Sequence, residues 1–250
     1  MRLAGLLGVF AVAASGVSVT VLPRPPFPGP AAAPAAPHRL VLVSSHYLAT
    51  GNLENDTITA PAGSFHGLPG QLTFFTANRA FDIYGKDGGT GRYLVGRQKS
   101  GNAVYAFDFK NYAWPPRIKP GEREFVYEQP VWAQEAGRTL YVETAHSTYA
   151  ASSYGRNGYV TAIDLATKRA EWRSPALVAN ANSFLVTKHH LVTGYGFTKE
   201  PDYLYLLDRA TGKVVDRLAL PSAPEKITWQ QGLIRVRTYD HLVTVRLKGA

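Results

Sequence analysis

The sequence contains no cysteine among its 250 residues. Without thiols the chain can form no disulfide, no thiolate metal site, no cysteine nucleophile and no lipid-modified cysteine. Charged residues are also scarce, at 18%, and beyond the N-terminal segment no amphipathic stretch of helical length is found. The fold must therefore be stabilised by apolar packing, and helices are not expected to provide it.

Apolar and aromatic residues are abundant instead. Hydrophobic residues make up 45% of the chain, with 14 Tyr and 11 Phe, which excludes general disorder and favours strands. A chain of this length is ordinary for one all-β domain. We expect a single sizeable β-domain.

The formal net charge is +9. A basic balance favours contact with polyanions such as acidic glycans, anionic lipid surfaces or nucleic acid. The Lys and Arg residues are scattered along the sequence, and no nucleic-acid-binding module with a readable signature is present. The sequence therefore predicts no sequence-specific nucleic-acid partner.

The N-terminus carries the longest apolar run. Met1-Arg2 precedes apolar residues 3–22, and Ala11-Val12-Ala13 matches the small-residue cleavage site of secretory signals. Residues 1–22 are predicted to be a signal peptide or an uncleaved signal anchor, because about 20 apolar residues span a bilayer. In the second case residues 3–22 would tether the chain to a membrane. Both alternatives predict an extracytoplasmic protein, which is secreted, periplasmic or on the cell surface.

Proline and alanine dominate residues 23–38. Proline fixes φ and removes a backbone donor, so this segment is predicted to be a semi-rigid linker. The folded domain is then expected to occupy residues 39–250.

An internal repeat is the most informative feature of that region. Residues 104–109, 160–165 and 204–209 align as strand-like segments, and each has an aspartate at its fifth position, where the strand ends. The Asp carboxylate can accept backbone N–H groups of a following turn and so end the strand. The aspartates are 56 and 44 residues apart, and a period near 44 is that of a four-stranded propeller blade, which takes about 40–50 residues. A fourth segment, 241–246, matches the strand but lacks the aspartate.

Predicted hairpins precede these strands in the same phase, over residues 130–142, 183–193 and 226–236. A single blade cannot bury both faces of its sheet, so blades must pack side by side around an axis. We expect an all-β fold, a β-propeller of about five four-stranded antiparallel blades in an irregular or incomplete ring. Residues 72–95 are predicted to form a divergent first blade.

The stretch YVTAIDLATKRAEW, residues 159–172, resembles the quinoprotein-like propeller repeat (PQQ type), which runs as an apolar strand, Ala-Leu-Asp, a Thr-Gly-Lys turn and Trp. Residues 203–215 are similar, with Asp216 where the Trp would fall. The resemblance implies a propeller fold. Enzymes of this family are similar to larger propellers with a vicinal disulfide, a calcium site and an acidic base beside the quinone. Because this chain has no cysteine, we predict no cofactor.

No catalytic or metal-binding set is found in the sequence. The glycine-rich residues 85–91 match neither a phosphate loop nor a calcium loop, and a hairpin turn is predicted there. The seven histidines show no metal-ligand spacing, and no serine-nucleophile elbow is present. The sequence therefore assigns no catalytic, cofactor-binding or metal residue and favours a protein that is not an enzyme.

The leading hypothesis is a binding or scaffold propeller that presents a basic and aromatic face to a protein or acidic glycan partner. The predicted binding face consists of Lys110, Tyr112, Trp114, Lys168, Arg169, His189, Arg209 and Lys213. One alternative is a quinoprotein-like or polysaccharide-acting enzyme with its site in the central funnel. Another is a subunit of an envelope assembly, which would expose an apolar patch or a sheet edge.

Overall fold

The structure, a computed structural model, describes residues 17–24, 38–48 and 62–249. The predicted cleavage motif and most of the proline-rich linker lie outside the described residues. Within them, no helix is long and apolar enough to cross a membrane.

The described residues form β-strands, connecting turns and one short 3-10 helix, Ala150–Ser153. The strands in chain order are β1 (Val19–Val21), β2 (Arg39–Tyr47), β3 (Ser64–Phe65), β4 (Leu68–Phe75), β5 (Ala80–Gly85), β6 (Gly91–Arg97), β7 (Ala103–Asp108), β8 (Gln129–Ala136), β9 (Thr139–Ala145), β10 (Tyr159–Asp164), β11 (Arg169–Arg173), β12 (Leu185–Val186), β13 (His190–Phe197), β14 (Glu200–Asp208), β15 (Val214–Ala219), β16 (Pro224–Gln230), β17 (Leu233–Thr238) and β18 (His241–Lys248).

These strands make four sheets. The second sheet has the order β11-β10-β9-β8, the third β15-β14-β13-β12 and the fourth β2-β18-β17-β16. Neighbouring strands in these three sheets are antiparallel. The first sheet has six strands, in the order β1-β7-β6-β5-β4-β3. The predicted all-β propeller of four-stranded antiparallel blades is thus confirmed.

Four sheets are found where about five blades were expected, and the pairing of β2 explains the difference. Strand β2, the first after the linker, pairs antiparallel with β18 and completes the last sheet instead of beginning a first one. Strands β4 to β6 then supply the divergent first blade predicted over residues 72–95. The repeat period gave no indication that a distant strand would fill the last blade.

Strand β1 lies within the segment that the sequence assigned to the leader. It pairs parallel with β7, with Val19 opposite Ala106. Leu22 is fully buried, and its backbone N–H donates to the carbonyl of Asp108 at 3.2 Å. Residues 19–22 therefore belong to the folded unit. An apolar, β-branched run suits both a leader and a strand, and its periodicity alone cannot distinguish them.

Apolar clusters hold the sheets together in chain order. One cluster joins the first and second sheets through side chains such as Phe107 and Leu140. Another joins the second and third sheets, and a third joins the third and fourth. No cluster among the described residues joins the fourth sheet to the first. The four sheets thus form an arc, with an outward face on the first sheet and another on the fourth.

The repeated aspartates perform the predicted capping role. Asp164 Oδ1 accepts from the backbone N–H groups of Ala166 and Thr167, at 2.8 and 2.7 Å. Asp208 Oδ1 accepts from the N–H of Thr211 at 2.9 Å, and Asp108 Oδ1 accepts from a backbone N–H two residues on. The three residues end β10, β14 and β7, which are all second from the outermost strand of their sheets. Equivalent strands therefore end in equivalent turns.

Candidate binding groove

Two adjoining depressions lie where the turns of the second and third sheets meet. Lys188 and His189, in the turn between β12 and β13, line both depressions. We call the two together the groove. Its polar part is a cleft of about 600 Å³, and its apolar part is a hollow of about 570 Å³.

The polar cleft separates the second sheet from the third. Tyr141 and Trp172 line it from the second sheet, while Asp208 and Arg209 line it from the third. Glu171, also at the cleft, is exposed. The cleft thus carries charges of both signs next to an aromatic side chain, a composition typical of interaction surfaces.

Arg209 connects the two walls of this cleft. Its guanidinium donates to Tyr141 Oη at 2.9 Å and to the carbonyl of Ala136 at 2.9 Å, both on the second sheet. It also donates to the carbonyl of Thr187, at 3.1 Å, on the third sheet. Because its donors are engaged within the protein, Arg209 shapes the groove and is not a free cation for a ligand.

The apolar hollow is lined by the innermost strands of three sheets. Gln134 belongs to β8, Leu185 and Val186 to β12, and Trp229 to β16, with Leu247 alongside. Trp229 is 50% exposed. A large aromatic side chain that is half open to solvent, in a concave apolar site, has the character of a binding hot spot.

His190 forms part of the hollow's lining and is buried. Its ring lies 4.5 Å from that of His38, measured between ring centroids. Burial lowers the pKa of His190, and the neighbouring His38 lowers it further. The neutral imidazole is therefore favoured, and the lasting positive charge at this end of the groove comes from Lys188.

Of the eight residues predicted from the sequence, two line the groove, His189 and Arg209. Lys110 and Lys213 are exposed on connections between strands, Arg169 is exposed at the start of β11, and Lys168 is half-buried in the turn before it. Tyr112 is a correction, because it is fully buried in the cluster between the first and second sheets and cannot present a surface. It lies on an irregular connection, where strand alternation gives no indication of burial.

Trp114 lies at a separate small depression with Gly121, Arg123 and Glu124. The Arg123 guanidinium is 4.3 Å from the centroid of its ring. The structure therefore does not bring Trp114 to the groove.

Sequence reasoning missed the main apolar contributor, Trp229. The sequence places Trp229 in a predicted hairpin, residues 226–236, and gives it no binding role. A usable signal was its position next to the turn Gln230-Gln231-Gly232, because the end of an innermost strand opens toward the propeller axis.

A buried charged cluster lies away from the groove. Glu128 and Arg173 form an ion pair, and Thr144 Oγ1 donates to Glu128 Oε1 at 2.6 Å. Burial raises the pKa of Glu128, while the Arg173 charge opposes that shift. Arg173 also lies over the ring of Tyr159, 3.7 Å from its centroid. This cluster joins β9 and β11 to the residue that precedes β8, and it does not line the groove.

Glu143 is a second buried carboxyl, and burial raises its pKa well above the ordinary value. It faces away from the Glu128 cluster, since it alternates along β9 with Thr144. Within residues 17–24, 38–48 and 62–249, no three His, Asp or Glu side chains are grouped closely enough to hold a metal ion.

No protein-family model matches the sequence, and no curated protein matches it. Among solved structures, the computationally designed Ika4 protein is similar with a TM-score of 0.42 and 12% identity, over 72% of this chain and 92% of that chain. BamB from Moraxella catarrhalis has a TM-score of 0.37 and 10% identity, over 85% and 99%. The WD40 domain of Pan2 from Neurospora crassa has a TM-score of 0.38 and 9% identity, over 67% and 41%. The strand order described above, and not these similarities, identifies the fold.

Proposed function

We propose that this chain is an extracytoplasmic, non-catalytic propeller of the quinoprotein-like repeat type, which binds an extended segment of a protein partner in the groove. The apolar segment before β1, with its Ala11-Val12-Ala13 motif, supports the location, and the Asp-ended repeats support the family. The groove supports the activity, because its two parts offer an apolar site and a charged site side by side.

The half-exposed Trp229 is the observation that carries this proposal. A tryptophan indole that is removed from water on binding contributes large apolar area and one N–H donor. Leu185 and Leu247 in the same hollow would surround an apolar ligand side chain. Such an aromatic anchor in a concave site is what a few-residue recognition motif requires.

The positive charge near the hollow indicates which residue should flank the apolar residue of the ligand. Lys188 and His189 border both parts of the groove and are exposed. An acidic residue next to the apolar anchor of the ligand would lie close to the Lys188 ammonium. We therefore infer a peptide that combines an apolar or aromatic residue with a nearby Asp or Glu.

Selection from a displayed library of random peptides tests the proposal. Peptides enriched on the protein should share an apolar residue flanked by an acidic one, and Trp229→Ala should weaken their binding at least tenfold. The matched control is Tyr239→Ala, which removes an aromatic side chain 65% exposed and outside the groove. That variant should bind as the unchanged protein does.

Enriched peptides that bind Trp229→Ala undiminished would refute the groove as the site. A library that yields no shared motif would refute peptide recognition itself. Circular dichroism of both variants checks that each retains the β-fold, so that a loss of binding is not a loss of structure.

A further inference from the structure

The outward face of the fourth sheet collects basic side chains that are far apart in the sequence. Six Lys and Arg residues occupy it, and we call this set the basic face. It consists of Arg39, Lys226, Arg235, Arg237, Arg246 and Lys248.

Strand alternation places these residues together. In β17, Ile234 and Val236 pack in the cluster with the third sheet, so Arg235 and Arg237 point to the opposite side. Lys226 of β16 is directly opposite Arg237. Because β17 pairs with both β16 and β18, Arg235 and Arg237 share this face with the basic residues of the neighbouring strands.

The outer two strands follow the same rule. Leu40 and Leu247 are paired and belong to the apolar cluster. Their neighbours on the opposite side are therefore basic, with Lys248 directly opposite Arg39 and Arg246 next along β18. All three are exposed.

The balance of charge on this face is one-sided. The strand positions that share it in β2, β16, β17 and β18 include no Asp or Glu among the described residues. Glu225 lies in the bulge at the start of β16. Burial raises the pKa of Glu225, and the positive charge of Arg237 opposes this shift. Six of the 27 basic residues thus stand on one sheet face of a chain whose net charge is +9.

Like charges directly opposite each other on neighbouring strands destabilise a sheet. The Arg39–Lys248 pair is such an arrangement. A bound anion would replace this repulsion by attraction, so the face favours a ligand that carries several negative charges.

The centre of the face is a hollow of about 320 Å³. Lys226, Arg235 and Arg237 line it with positive charge, and the Arg235 guanidinium also donates to Thr244 Oγ1. Thr228 and Gln230 add a hydroxyl and an amide, and Leu242 adds an apolar patch. A sugar with a carboxylate or sulfate group presents the matching set, since it has hydroxyls, an apolar ring face and a negative charge.

Other polyanions match less well. Single-stranded nucleic acid is bound by stacking of bases on aromatic side chains, and the strand positions sharing this face carry no Phe, Tyr or Trp within the described residues. A concave hollow with hydroxyl and amide groups also suits a sugar unit better than a layer of lipid headgroups.

We propose that the basic face of the fourth sheet is a binding site for an anionic polysaccharide. This inference does not rest on the groove, because the site lies on the opposite face of β16 from the hollow that contains Trp229.

Binding of fluorescent polygalacturonate and dextran sulfate, with neutral dextran as the reference, tests the site. The triple variant Arg39→Gln, Arg246→Gln, Lys248→Gln removes three exposed charges from the face. We expect its affinity for both polyanions to fall at least tenfold, and added salt to weaken binding by the unchanged protein. Neutral dextran should not bind.

The matched control removes three exposed charges elsewhere, as Lys86→Gln, Lys99→Gln, Lys199→Gln. Its affinity for both polyanions should fall less than threefold. Equal losses in the two triple variants would mean that only the diffuse net charge attracts the polymer, and would overturn the proposal. Equally strong binding to vesicles of anionic lipid or to single-stranded DNA would overturn it as well.

Trp229→Ala separates this site from the groove. It should bind polygalacturonate normally, whatever its effect on peptides. Thermal denaturation of each variant verifies folding before affinity is compared.

Discussion

At the scale of single residues, the protein contains a histidine held in its neutral form by its surroundings. His146 is buried, and its ring Nε2 lies 2.8 Å from Ser153 Oγ. Its backbone N–H donates to Asn157 Oδ1 at 2.9 Å. Burial lowers the pKa of His146 to about 4, because the charged imidazolium would lose its hydration.

This residue predicts acid sensitivity. The unfolded chain binds a proton at His146 near pH 6.5, but the folded protein does so only near pH 4. Its contribution to stability is therefore complete above pH 6.5 and is lost as the pH falls toward 4. His146→Gln should reduce the fall in unfolding free energy across this interval by about 2–3 kcal/mol. Urea titrations at several pH values measure it.

The control for this experiment is His46→Gln, which changes an exposed histidine of β2. It should leave the slope of stability against pH unchanged. A similar slope in His146→Gln and the unchanged protein would show that the imidazole becomes charged without cost in the folded state.

At the scale of structural elements, one blade is joined to the next by a glycine turn packed on a tryptophan. Gly212, in the turn between β14 and β15, has φ +68° and lies against Trp172 of β11. A Cβ at Gly212 would come within 2.4 Å of the indole ring. The Thr-Gly turn of one repeat therefore packs against the Trp of the preceding repeat.

The next blade boundary lacks that contact, and the chain departs from the repeat pattern there. Asp216 stands where the tryptophan would fall. Its Oδ2 accepts from the backbone N–H of Leu40 at 2.7 Å. At this boundary the repeat thus has a hydrogen bond to β2 in place of the contact between a tryptophan and the following turn.

Two glycine substitutions separate steric contact from backbone strain. Gly212→Ala combines a positive φ with the clash against Trp172 and should cost about 2–4 kcal/mol of stability. Gly232→Ala is the matched variant, because its φ is +76° but a Cβ there meets no atom within 4 Å. It should cost about 1–2 kcal/mol. Denaturant midpoints give both values, and equal costs would mean that the indole simply moves aside.

At the scale of the whole molecule, the N-terminal strands hold both ends of the arc. Strand β1 is outermost in the first sheet and β2 is outermost in the fourth. The chain between Arg24 and His38 spans at most about 50 Å, so it limits how far the two end sheets can separate. The semi-rigid linker predicted from the sequence therefore also connects the first sheet to the fourth.

Truncation tests the role of β1. A chain that starts at residue 17 keeps this strand and should be as stable as the full chain. A chain that starts at residue 25 loses β1 and the fully buried Leu22, and uncovers the edge of β7. We expect a loss of about 3–5 kcal/mol, seen as a drop in thermal midpoint of roughly 10 °C. Equal midpoints for the two truncations would show that β1 adds nothing to the fold.

The sequence by itself determined the all-β class, the blade-like repeat and the aspartate turns. These follow from alternation along single strands and from hydrogen bonds a few residues apart, so Asp164 and Asp208 could be assigned from their neighbours. It also indicated two groove residues, His189 and Arg209, from their places in turns.

Only the tertiary structure decided which strands complete which sheets. That β1 and β2 occupy opposite ends of the arc depends on pairing with β7 and β18, which no local pattern encodes. The exposure of Trp229, the burial of Tyr112 and the grouping of basic side chains on the fourth sheet likewise depend on what packs against each face. Residues such as Arg39 and Arg246 are distant in sequence, and strand register alone brings them together.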